Sequence, residues 1–266
     1  MTAAGALPCF AELIAPPTWR TIDFISDLHL ADDTPHGFDA WATYLGSTGA
    51  DAVFMLGDLF EAWIGDDSRH SGFEARCVDV LSAASRRIEL AFMVGNRDFL
   101  LGAEMLAACG VRQLADPTVL TAFGRRLLLS HGDALCLSDV AYQQLRRTVR
   151  QPAWQAAALA QPLAARRALA RQMRDESHRH QANQPAGEWF DVDRGAALAW
   201  MQAADAPDFI HGHTHRPGSE LLAPGFTRHV LSDWEFDHTG TPRADVLRWQ
   251  AGGLSRLSPE ATATAR

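Results

Sequence analysis

The chain has no lysine, so all 24 of its basic residues are arginines, and its net charge is −8. This acidic balance argues against broad, unspecific binding of nucleic acid. The four cysteines are scattered and form no Cys-x-x-Cys pair, which argues against a disulfide framework in a chain of this length. We therefore expect Cys9, Cys77, Cys109 and Cys136 to be buried free thiols.

The sequence also has no apolar run long enough to span a bilayer. Residues 1–17 lack the basic start and apolar core of a secretory signal, so we expect a cytoplasmic protein. The hydrophobic content of 47% and the charged content of 21% are ordinary for a globular protein. A chain of 266 residues can bury one sizeable core, although length alone permits one domain or two.

Short apolar runs, bounded by glycine and polar residues, predict buried β-strands along most of the chain. The runs are at 21–25, 52–56, 88–94, 127–129 and 209–210. Helical patterns lie between them, for example at 38–46 and 74–87. This alternation predicts an α/β fold with a layered sheet, in which ligands bind beyond the carboxyl ends of the strands.

A short polar motif follows each of these runs. The five motifs are Asp27-Leu28-His29, Gly57-Asp58, Gly95-Asn96-Arg97-Asp98, His131-Gly132-Asp133 and His211-Gly212-His213. They offer carboxylate, imidazole and amide ligands without thiolates, a mixture that suits Mn²⁺, Mg²⁺, Zn²⁺ or Fe. Two such ions, about 3.5–4 Å apart, are used in phosphoester hydrolysis to generate hydroxide and clamp a phosphoryl group. The sequence therefore predicts a two-metal site.

Residue chemistry suggests how the ligands are divided. Asp27 and His29 are expected on the same side of an extended backbone, because side chains alternate along a strand, and so can share one ion. Asp58 has two carboxylate oxygens and is the natural bridge between two ions. Asn96 offers a neutral oxygen to the second ion, although Gly-Asn is also a frequent turn pair.

The imidazoles complete the predicted site. We expect His131 and His211 to bind the second ion and His213 to bind the first. A single buried histidine is usually a hydrogen-bonded core residue. Three of them at strand ends, together with four further ligand residues, favour a metal site instead.

The segment at 139–184 has a different character, since strand signals stop and Ala, Leu, Gln and Arg dominate. We expect two or three amphipathic helices, either as a cap over the active edge of the sheet or as a peripheral hairpin with a solvated arginine face. Short strands follow at 228–231 and 244–249. We expect a single domain at 20–250 with a cap insertion at about 139–190, and flexible tails at 1–19 and 255–266.

The order of these motifs resembles that of the calcineurin-like metallophosphoesterases. The resemblance implies a four-layer αββα sandwich with a dinuclear centre. By motif, the first metal would be bound by Asp27, His29, Asp58 and His213, and the second by Asp58, Asn96, His131 and His211. Most members have histidine where this chain has Arg97. An arginine is not a general acid at neutral pH but can hold a phosphoryl oxygen bidentately.

Arg97 and three longer runs resemble one subfamily, the UDP-2,3-diacylglucosamine hydrolases of lipid A biosynthesis. The runs are Gly-Asp-Leu-Phe-Glu-Ala-Trp-Ile-Gly-Asp-Asp at 57–67, Gly-Asn-Arg-Asp-Phe-Leu-Leu-Gly at 95–102 and His-Gly-His-Thr-His-Arg-Pro at 211–217. The similarity covers about 22–231. It implies cleavage of the substrate pyrophosphate to UMP and 2,3-diacylglucosamine 1-phosphate, two Mn²⁺ ions, and peripheral association with the cytoplasmic face of the inner membrane.

The subfamily also implies roles for individual residues. The catalytic residues would be Asn96, Arg97 and His211. The cap would hold the acyl chains, and substrate contacts would come from Asn96, Arg97, Asp139, Tyr142, Ser177, Gln181, Gln184 and His211. The match weakens after Ser177, because the subfamily tends to have an asparagine and then a lysine where this chain has Gln181 and Gln184.

Two alternative functions remain open. A metallophosphoesterase of this type could act on another nucleotide diphosphate or on a phosphodiester, without any lipid. A binding scaffold that keeps the fold and has lost catalysis should lack ligands, yet all seven predicted positions carry a residue able to bind a metal. The sequence does not indicate an oligomeric state.

Overall fold

A computed structural model describes residues 7–182, 190–238 and 240–263, with the backbone alone at 175–182. The strands, in chain order, are β1 (Ala11–Ile14), β2 (Ile22–Ile25), β3 (Ala52–Leu56), β4 (Glu89–Met93), β5 (Val111–Gln113), β6 (Thr118–Ala122), β7 (Arg125–Leu129), β8 (Asp208–His211), β9 (Gly218–Ala223), β10 (Phe226–Val230), β11 (Val246–Gln250) and β12 (Gly253–Leu257). The α-helices are α1 (Pro35–Ser47), α2 (Gly72–Ser85), α3 (Ala103–Cys109), α4 (Val140–Val149), α5 (Pro152–Leu159), α6 (Leu163–Ala182) and α7 (Arg194–Ala203).

The strands form two mixed six-stranded sheets. One sheet has the order β12-β11-β2-β3-β4-β5, in which β2 to β5 run parallel. The other has the order β1-β6-β7-β8-β10-β9, in which β7, β8 and β10 run parallel. Strand β3 is buried at all five positions, because it lies inside its sheet and is covered on both faces.

Three apolar clusters show that the sheets and helices form four layers. Phe24 and Phe54 of the first sheet pack with Leu127 and Ile210 of the second, so one cluster lies between the sheets. A second cluster packs α1, α2 and α3 against the outer face of the first sheet. The third packs α7 against the outer face of the second sheet. The predicted αββα architecture is confirmed.

The structure confirms the strands predicted at 21–25, 52–56, 88–94, 127–129 and 209–210, with boundaries that differ by up to two residues. Each is followed by its polar motif, so the loops after β2, β3, β4, β7 and β8 supply the candidate site. Cys77, Cys109 and Cys136 are buried free thiols as predicted, whereas Cys9 is exposed.

The prediction of flexible tails at 1–19 and 255–266 is wrong for the described part of both. Strand β1 pairs in parallel with β6, and β12 pairs with β11, so each is an edge strand of one sheet. Thr262, in a short 3₁₀ turn, is buried and accepts a backbone hydrogen bond from Gly49. Edge strands are half-exposed: no position of β1 or β12 is fully buried, so the apolar signal in their sequence is weak.

Helices α4, α5 and α6 form the cap. The side chain of Arg150 donates to the carbonyl oxygen of Gly95 at 2.8 Å, and Trp154 packs against Phe99 with ring centroids 5.9 Å apart. Arg166 of α6 is bonded to Asp67 and to the carbonyl oxygen of Ile64. Because these partners lie in the loops after β3 and β4, the insertion covers the active edge rather than a peripheral face.

Among the residues described, no helix has both the length and the apolar character needed to cross a bilayer.

Candidate metal centre

The loops after β2 and β8 bring three side chains together. The Nε2 atoms of His29 and His215 are 3.2 Å apart, and Nε2 of His215 is 3.4 Å from Oδ1 of Asp27. Potential ligand atoms of all three residues lie within 4.8 Å of one another. Oδ2 of Asp58 is 4.0 Å from Nε2 of His29, on the side of a second group. This first group can hold one metal ion.

The second group is centred on Asn96, in the loop after β4. Its Oδ1 is 2.9 Å from Nε2 of His131 and 2.7 Å from Nδ1 of His213. Oδ1 of Asp58 is 3.7 Å from Nε2 of His131. The two carboxylate oxygens of Asp58 thus face one group each. The arrangement is compatible with the bridging role predicted for Asp58, which stays a prediction.

Hydrogen bonds indicate how the histidine rings are oriented. Nδ1 of His29 faces a carboxylate oxygen of Glu61 at 2.9 Å, and Nδ1 of His131 faces the carbonyl oxygen of Leu56 at 2.9 Å. Both oxygens can only accept, so each Nδ1 donates and each neutral ring turns the lone pair of Nε2 toward the centre. Two imidazole nitrogens 3.2 Å apart, next to two carboxylates, form a donor set that fits a divalent cation.

The backbone of the candidate ligands is left-handed rather than extended. The φ angles are 55° at Asp27, 49° at His29, 51° at Asp58, 67° at His213 and 51° at His215. Positive φ is uncommon for residues with a side chain and costs about 1–3 kcal/mol each, so it clusters at functional sites. Asp27 and His29 do meet, but the predicted reason, alternation along a strand, is wrong because β2 ends at Ile25.

Glycines allow the loops to approach one another. A Cβ on Gly95 would lie 2.1 Å from Oδ1 of Asp58, and a Cβ on Gly212 would lie 2.3 Å from Oδ2 of Asp27. Both distances are far below a van der Waals contact. Glycine is therefore required beside each of these carboxylates, which explains its place in the two motifs.

The structure places the three histidines of the run at 211–217 in different surroundings, and the metal-binding roles predicted for His211 and His213 stay predictions. His211 is fully buried, its Nδ1 is 2.8 Å from the carbonyl oxygen of Gly212, and its Nε2 is buried with no hydrogen-bond partner among the described residues. Its ring packs 4.9 Å from that of Phe209, two residues earlier on the same face of β8, where α7 covers the sheet. His213 instead joins Asn96 and His131, and His215 joins Asp27 and His29.

Sequence spacing could not make this choice. The run at 211–217 contains two overlapping His-x-His pairs, and either pair can supply two imidazoles. The deciding factor is where the strand ends. His211 is the last residue of β8 and keeps the orientation of its strand, whereas His213 and His215 lie in the loop that turns toward the centre.

We expect His215→Ala to lower Mn²⁺ affinity by more than the 10–100-fold typical of residues that only support a ligand. His211→Ala is the matched control: it should keep its metal and lose roughly 1–3 kcal/mol of stability, because it leaves a cavity under α7. Metal content and thermal unfolding of the two variants distinguish these results. Loss of metal in His211→Ala, with full occupancy in His215→Ala, would restore the pairing predicted from sequence.

The charges of the centre are strongly coupled. Burial alone would lower the pKa of His131, but the carboxylates of Asp58, Asp27 and Asp133 outweigh it and raise the pKa to about 9. Burial and the neighbouring charge of His131 lower the pKa of His213 to about 4. Burial would raise the pKa of Asp27, but the contact with His215 and the charges of the neighbouring histidines together outweigh burial and lower the pKa. The metal-free centre therefore carries a proton on His131 at neutral pH.

We expect Mn²⁺ binding at pH 7 to release protons. The ion needs a neutral Nε2, whereas the metal-free ring is protonated below a pKa of about 9, so binding must expel that proton. Apparent affinity should therefore rise between pH 6 and 9, by up to about tenfold per unit for one proton. Calorimetry at pH 7 in buffers of different ionisation enthalpy measures the release. Identical heats in all buffers would contradict it.

Arg97 lies at the rim of the centre. Its backbone N–H donates to Oδ1 of Asp58 at 2.8 Å, and its NH1 atom is 3.4 Å from a carboxylate oxygen of Glu61. Asp98, next in the chain, is fully buried and accepts from the backbone N–H groups of Gly95 and Leu59. Asp98 thus fixes the two loops that carry Asn96 and Asp58. The guanidinium of Arg97 lies beside the two groups of candidate metal ligands.

Two buried acids of the site were missed from sequence. Glu61 bonds His29, as described above. Asp133 accepts a short hydrogen bond from the hydroxyl of Tyr142 and lies 2.8 Å from Nε of Arg146, both on the cap helix α4. Burial would raise the pKa of Asp133, but the charges of Arg146, Arg150 and the nearby histidines together outweigh burial and lower the pKa. The only signal for these two acids in the sequence is their position: Glu61 lies in the run at 57–67, and Asp133 lies in the motif His131-Gly132-Asp133.

The predicted substrate contacts of the cap lie in different places. Tyr142 reaches the centre, with its ring centroid 5.7 Å from that of His213. Asp139 caps α4 by accepting from the backbone N–H of Tyr142 at 2.9 Å. Ser177 and Gln181 belong to the part of α6 for which only the backbone is described. Gln184 lies outside the described residues.

Three comparisons relate this chain to known proteins. The family model for calcineurin-like phosphoesterases matches residues 20–217. A UDP-2,3-diacylglucosamine hydrolase from Chromobacterium violaceum is 44% identical over 240 residues, which are 89% of this chain and 98% of the relative. One from Stenotrophomonas maltophilia is 40% identical over 244 residues, 88% of this chain and 98% of its own. The solved phosphoesterase YfcE from E. coli matches 91% of this chain and 95% of its own, with 15% identity and a TM-score of 0.44.

Proposed function

Because this chain belongs to the calcineurin-like phosphoesterase family, we propose that it hydrolyses the pyrophosphate bond of UDP-2,3-diacylglucosamine. The products are UMP and 2,3-diacylglucosamine 1-phosphate, in the biosynthesis of lipid A. The observation that supports this most is a complete two-metal donor set with Arg97 at its rim, in a chain 40–44% identical to hydrolases of that name.

The proposed ligands are Asp27, His29 and Asp58 for the first metal and Asp58, Asn96 and His131 for the second. The sequence predicts that His213 completes the first set and His211 the second, whereas the contacts favour His215 for the first and His213 for the second. Mn²⁺ is the proposed ion, because carboxylate, amide and imidazole ligands without thiolate suit it. When bound, the two cations supply Lewis acidity at the phosphoryl oxygens and make a nucleophile available from water at neutral pH.

The protein groups position the reaction. Asp58 holds both halves of the centre at a fixed separation, and Glu61 and the carbonyl of Leu56 fix the rings of His29 and His131. The water attacks the α-phosphorus, in line with the departing sugar phosphate, so its oxygen ends in UMP. Arg97 can take up charge that develops on the equatorial oxygens of that phosphorus. The reaction needs no covalent intermediate with the enzyme.

We further propose that the cap receives the acyl chains and that the protein works peripherally at the cytoplasmic face of the inner membrane. Several large apolar side chains of the cap region are exposed: Leu137, Val140, Leu145, Leu159 and Leu169. The arginines of α4 and α6 lie nearby in sequence and can approach a diphosphate or anionic headgroups. This combination suits an acylated, anionic substrate.

The test compares substrates with and without acyl chains. Purified protein with Mn²⁺ is incubated with detergent-dispersed UDP-2,3-diacylglucosamine, with UDP-glucose, or with bis(p-nitrophenyl) phosphate. We expect fast UMP release from the lipid and much slower hydrolysis of the soluble compounds. Equal or faster hydrolysis of the soluble nucleotide, with none of the lipid, would replace the proposal by its alternative, a phosphoesterase for soluble nucleotides.

A further inference from the structure

Glu61 lies between three parts of the molecule. It follows β3 in the loop that begins with Asp58, and only 12% of its side chain is exposed. One carboxylate oxygen, Oε2, is 2.9 Å from Nδ1 of His29. The other, Oε1, is 3.4 Å from NH1 of Arg97 and 3.4 Å from Nε of Arg174. Arg174 belongs to the cap helix α6, so a single carboxylate contacts a candidate metal ligand, the phosphoryl-binding arginine and the cap.

We propose that Glu61 is a positioning residue that couples the cap to the metal centre, through His29 on one oxygen and the arginine pair of Arg97 and Arg174 on the other. The proposal rests on the proposed function, because the arginine pair is expected to bind the substrate diphosphate. Glu61 itself does not touch the reacting atoms. It positions His29, Arg97 and Arg174, and so fixes where the cap lies relative to the metal centre.

The contacts at Oε1 support this role. Two guanidinium groups face one carboxylate oxygen, so Glu61 holds an arginine of the loop after β4 and an arginine of the cap at the same point. Arg174 is also 3.6 Å from Asp33, whose side chain is 67% exposed, so that solvent screens this second contact. Guanidinium groups in a partly buried position are suited to binding phosphoryl oxygens.

The geometry at Oε1 also leaves the pair able to respond to substrate. Among the described residues that buried atom has no partner with hydrogen-bond geometry, since both arginines stand at ion-pair distance. A guanidinium that turns toward a phosphoryl oxygen therefore gives up an ion-pair contact and no formed hydrogen bond to Glu61. Oε2, in contrast, lies within hydrogen-bond distance of Nδ1 of His29, at 2.9 Å.

Two substitutions separate the two oxygens. Glu61→Gln keeps the volume and an acceptor for His29 but removes the charge that faces the arginines. Glu61→Ala removes both. Glu74→Gln is the matched control, because it breaks another ion pair of α6, in which Arg167 lies 3.8 Å from Glu74 of helix α2.

The lipid substrate should distinguish the variants. In Glu61→Gln we expect the KM for UDP-2,3-diacylglucosamine to rise about tenfold. A change of this size corresponds to the coupling energies found between charges in contact. Arg174→Ala should raise the KM by a smaller factor in the Glu61→Gln protein than in the unmodified protein, because Glu61 no longer positions that arginine. Glu74→Gln should stay within twofold of the unmodified protein. Additive losses, or equal losses in Glu61→Gln and Glu74→Gln, would overturn the coupling.

The metal gives an independent measurement. Glu61→Ala should lower Mn²⁺ affinity about 10–100-fold, as expected when the group that orients a ligand is removed, and Glu61→Gln should restore it to within about threefold. Hydrogen exchange at the amides of α6 should accelerate in Glu61→Gln and not in an Asp39→Asn surface control. Unchanged metal affinity in Glu61→Ala, or unchanged exchange in Glu61→Gln, would overturn the proposal.

These two readouts do not depend on the substrate. If the unmodified protein releases no UMP, the proposed function fails, whereas metal affinity and exchange still decide whether Glu61 joins the cap to the centre. If UMP is released and the Glu61 variants behave like the controls, only the coupling fails.

Discussion

Asp58→Ala is expected to abolish turnover and to leave a folded protein that no longer holds two metal ions. Its two oxygens face the two ligand groups, at 4.0 Å from His29 and 3.7 Å from His131, and alanine offers neither. The loss should exceed the 10–100-fold seen when a residue behind a ligand is changed, because a shared ligand is removed from both ions. UMP release and metal content by mass spectrometry measure the two effects.

The surface substitution Asp39→Ala is the control for Asp58→Ala, since it removes an exposed carboxylate from helix α1. It should keep full activity and both ions. Circular dichroism checks that Asp58→Ala is folded, which matters because Asp58 also accepts the backbone N–H of Arg97. Full turnover by a folded Asp58→Ala protein with two bound ions would remove Asp58 from the centre.

Arg97→Ala is expected to lower kcat about 10²–10³-fold, the usual effect of removing one group that stabilises developing charge. Bound metal should be unchanged, because the contact of Arg97 with Asp58 comes from its backbone N–H, which alanine keeps. Arg97→Lys should recover only part of the rate, since lysine keeps the charge but cannot bind two oxygens in a fixed fork. Steady-state kinetics at saturating Mn²⁺ give these values.

Arg112→Ala, which breaks an exposed ion pair with Glu89, is the control for Arg97→Ala and should leave kcat unchanged. Two results would remove Arg97 from the reaction: a kcat equal to that of the control, or a loss explained wholly by missing metal.

The central strands could be predicted from sequence because burial on both faces produces continuous apolar runs. Ala52–Leu56 is the clearest case: the run and the strand have the same boundaries. Edge strands lack that signal. Only alternate positions of Ala11–Ile14 are partly buried. The segment was therefore assigned to a flexible tail, although it pairs with β6.

The chemistry of the candidate site was easier to predict than its geometry. Residue types and their place after strands indicated carboxylate, amide and imidazole ligands, and the structure gathers six of the seven predicted ones. The seventh, His211, lies apart from these contacts, and its metal-binding role stays a prediction. Whether a residue near the end of a strand keeps the strand direction depends on backbone torsions, and the left-handed φ of His213 and His215 is not indicated by their spacing in the sequence.

Long-range contacts account for the rest. Nothing near Glu61 in the chain indicates that it contacts His29, 32 residues away, or Arg174, on a helix of the cap. The same holds for Asp133 and Arg146, which join α4 to the loop after β7. Such contacts depend on how the cap packs over the sheets, and local propensity carries no information about that packing.

Hydrolysis of UDP-2,3-diacylglucosamine in H₂¹⁸O, followed by mass spectrometry of both products, tests the central claim most directly. We predict one ¹⁸O atom in UMP and none in the sugar phosphate. Labelled product should form only when Mn²⁺ is present and Asp58 is intact. Label in 2,3-diacylglucosamine 1-phosphate would place the attack on the other phosphorus, and a complete lack of products would contradict the assignment of this substrate.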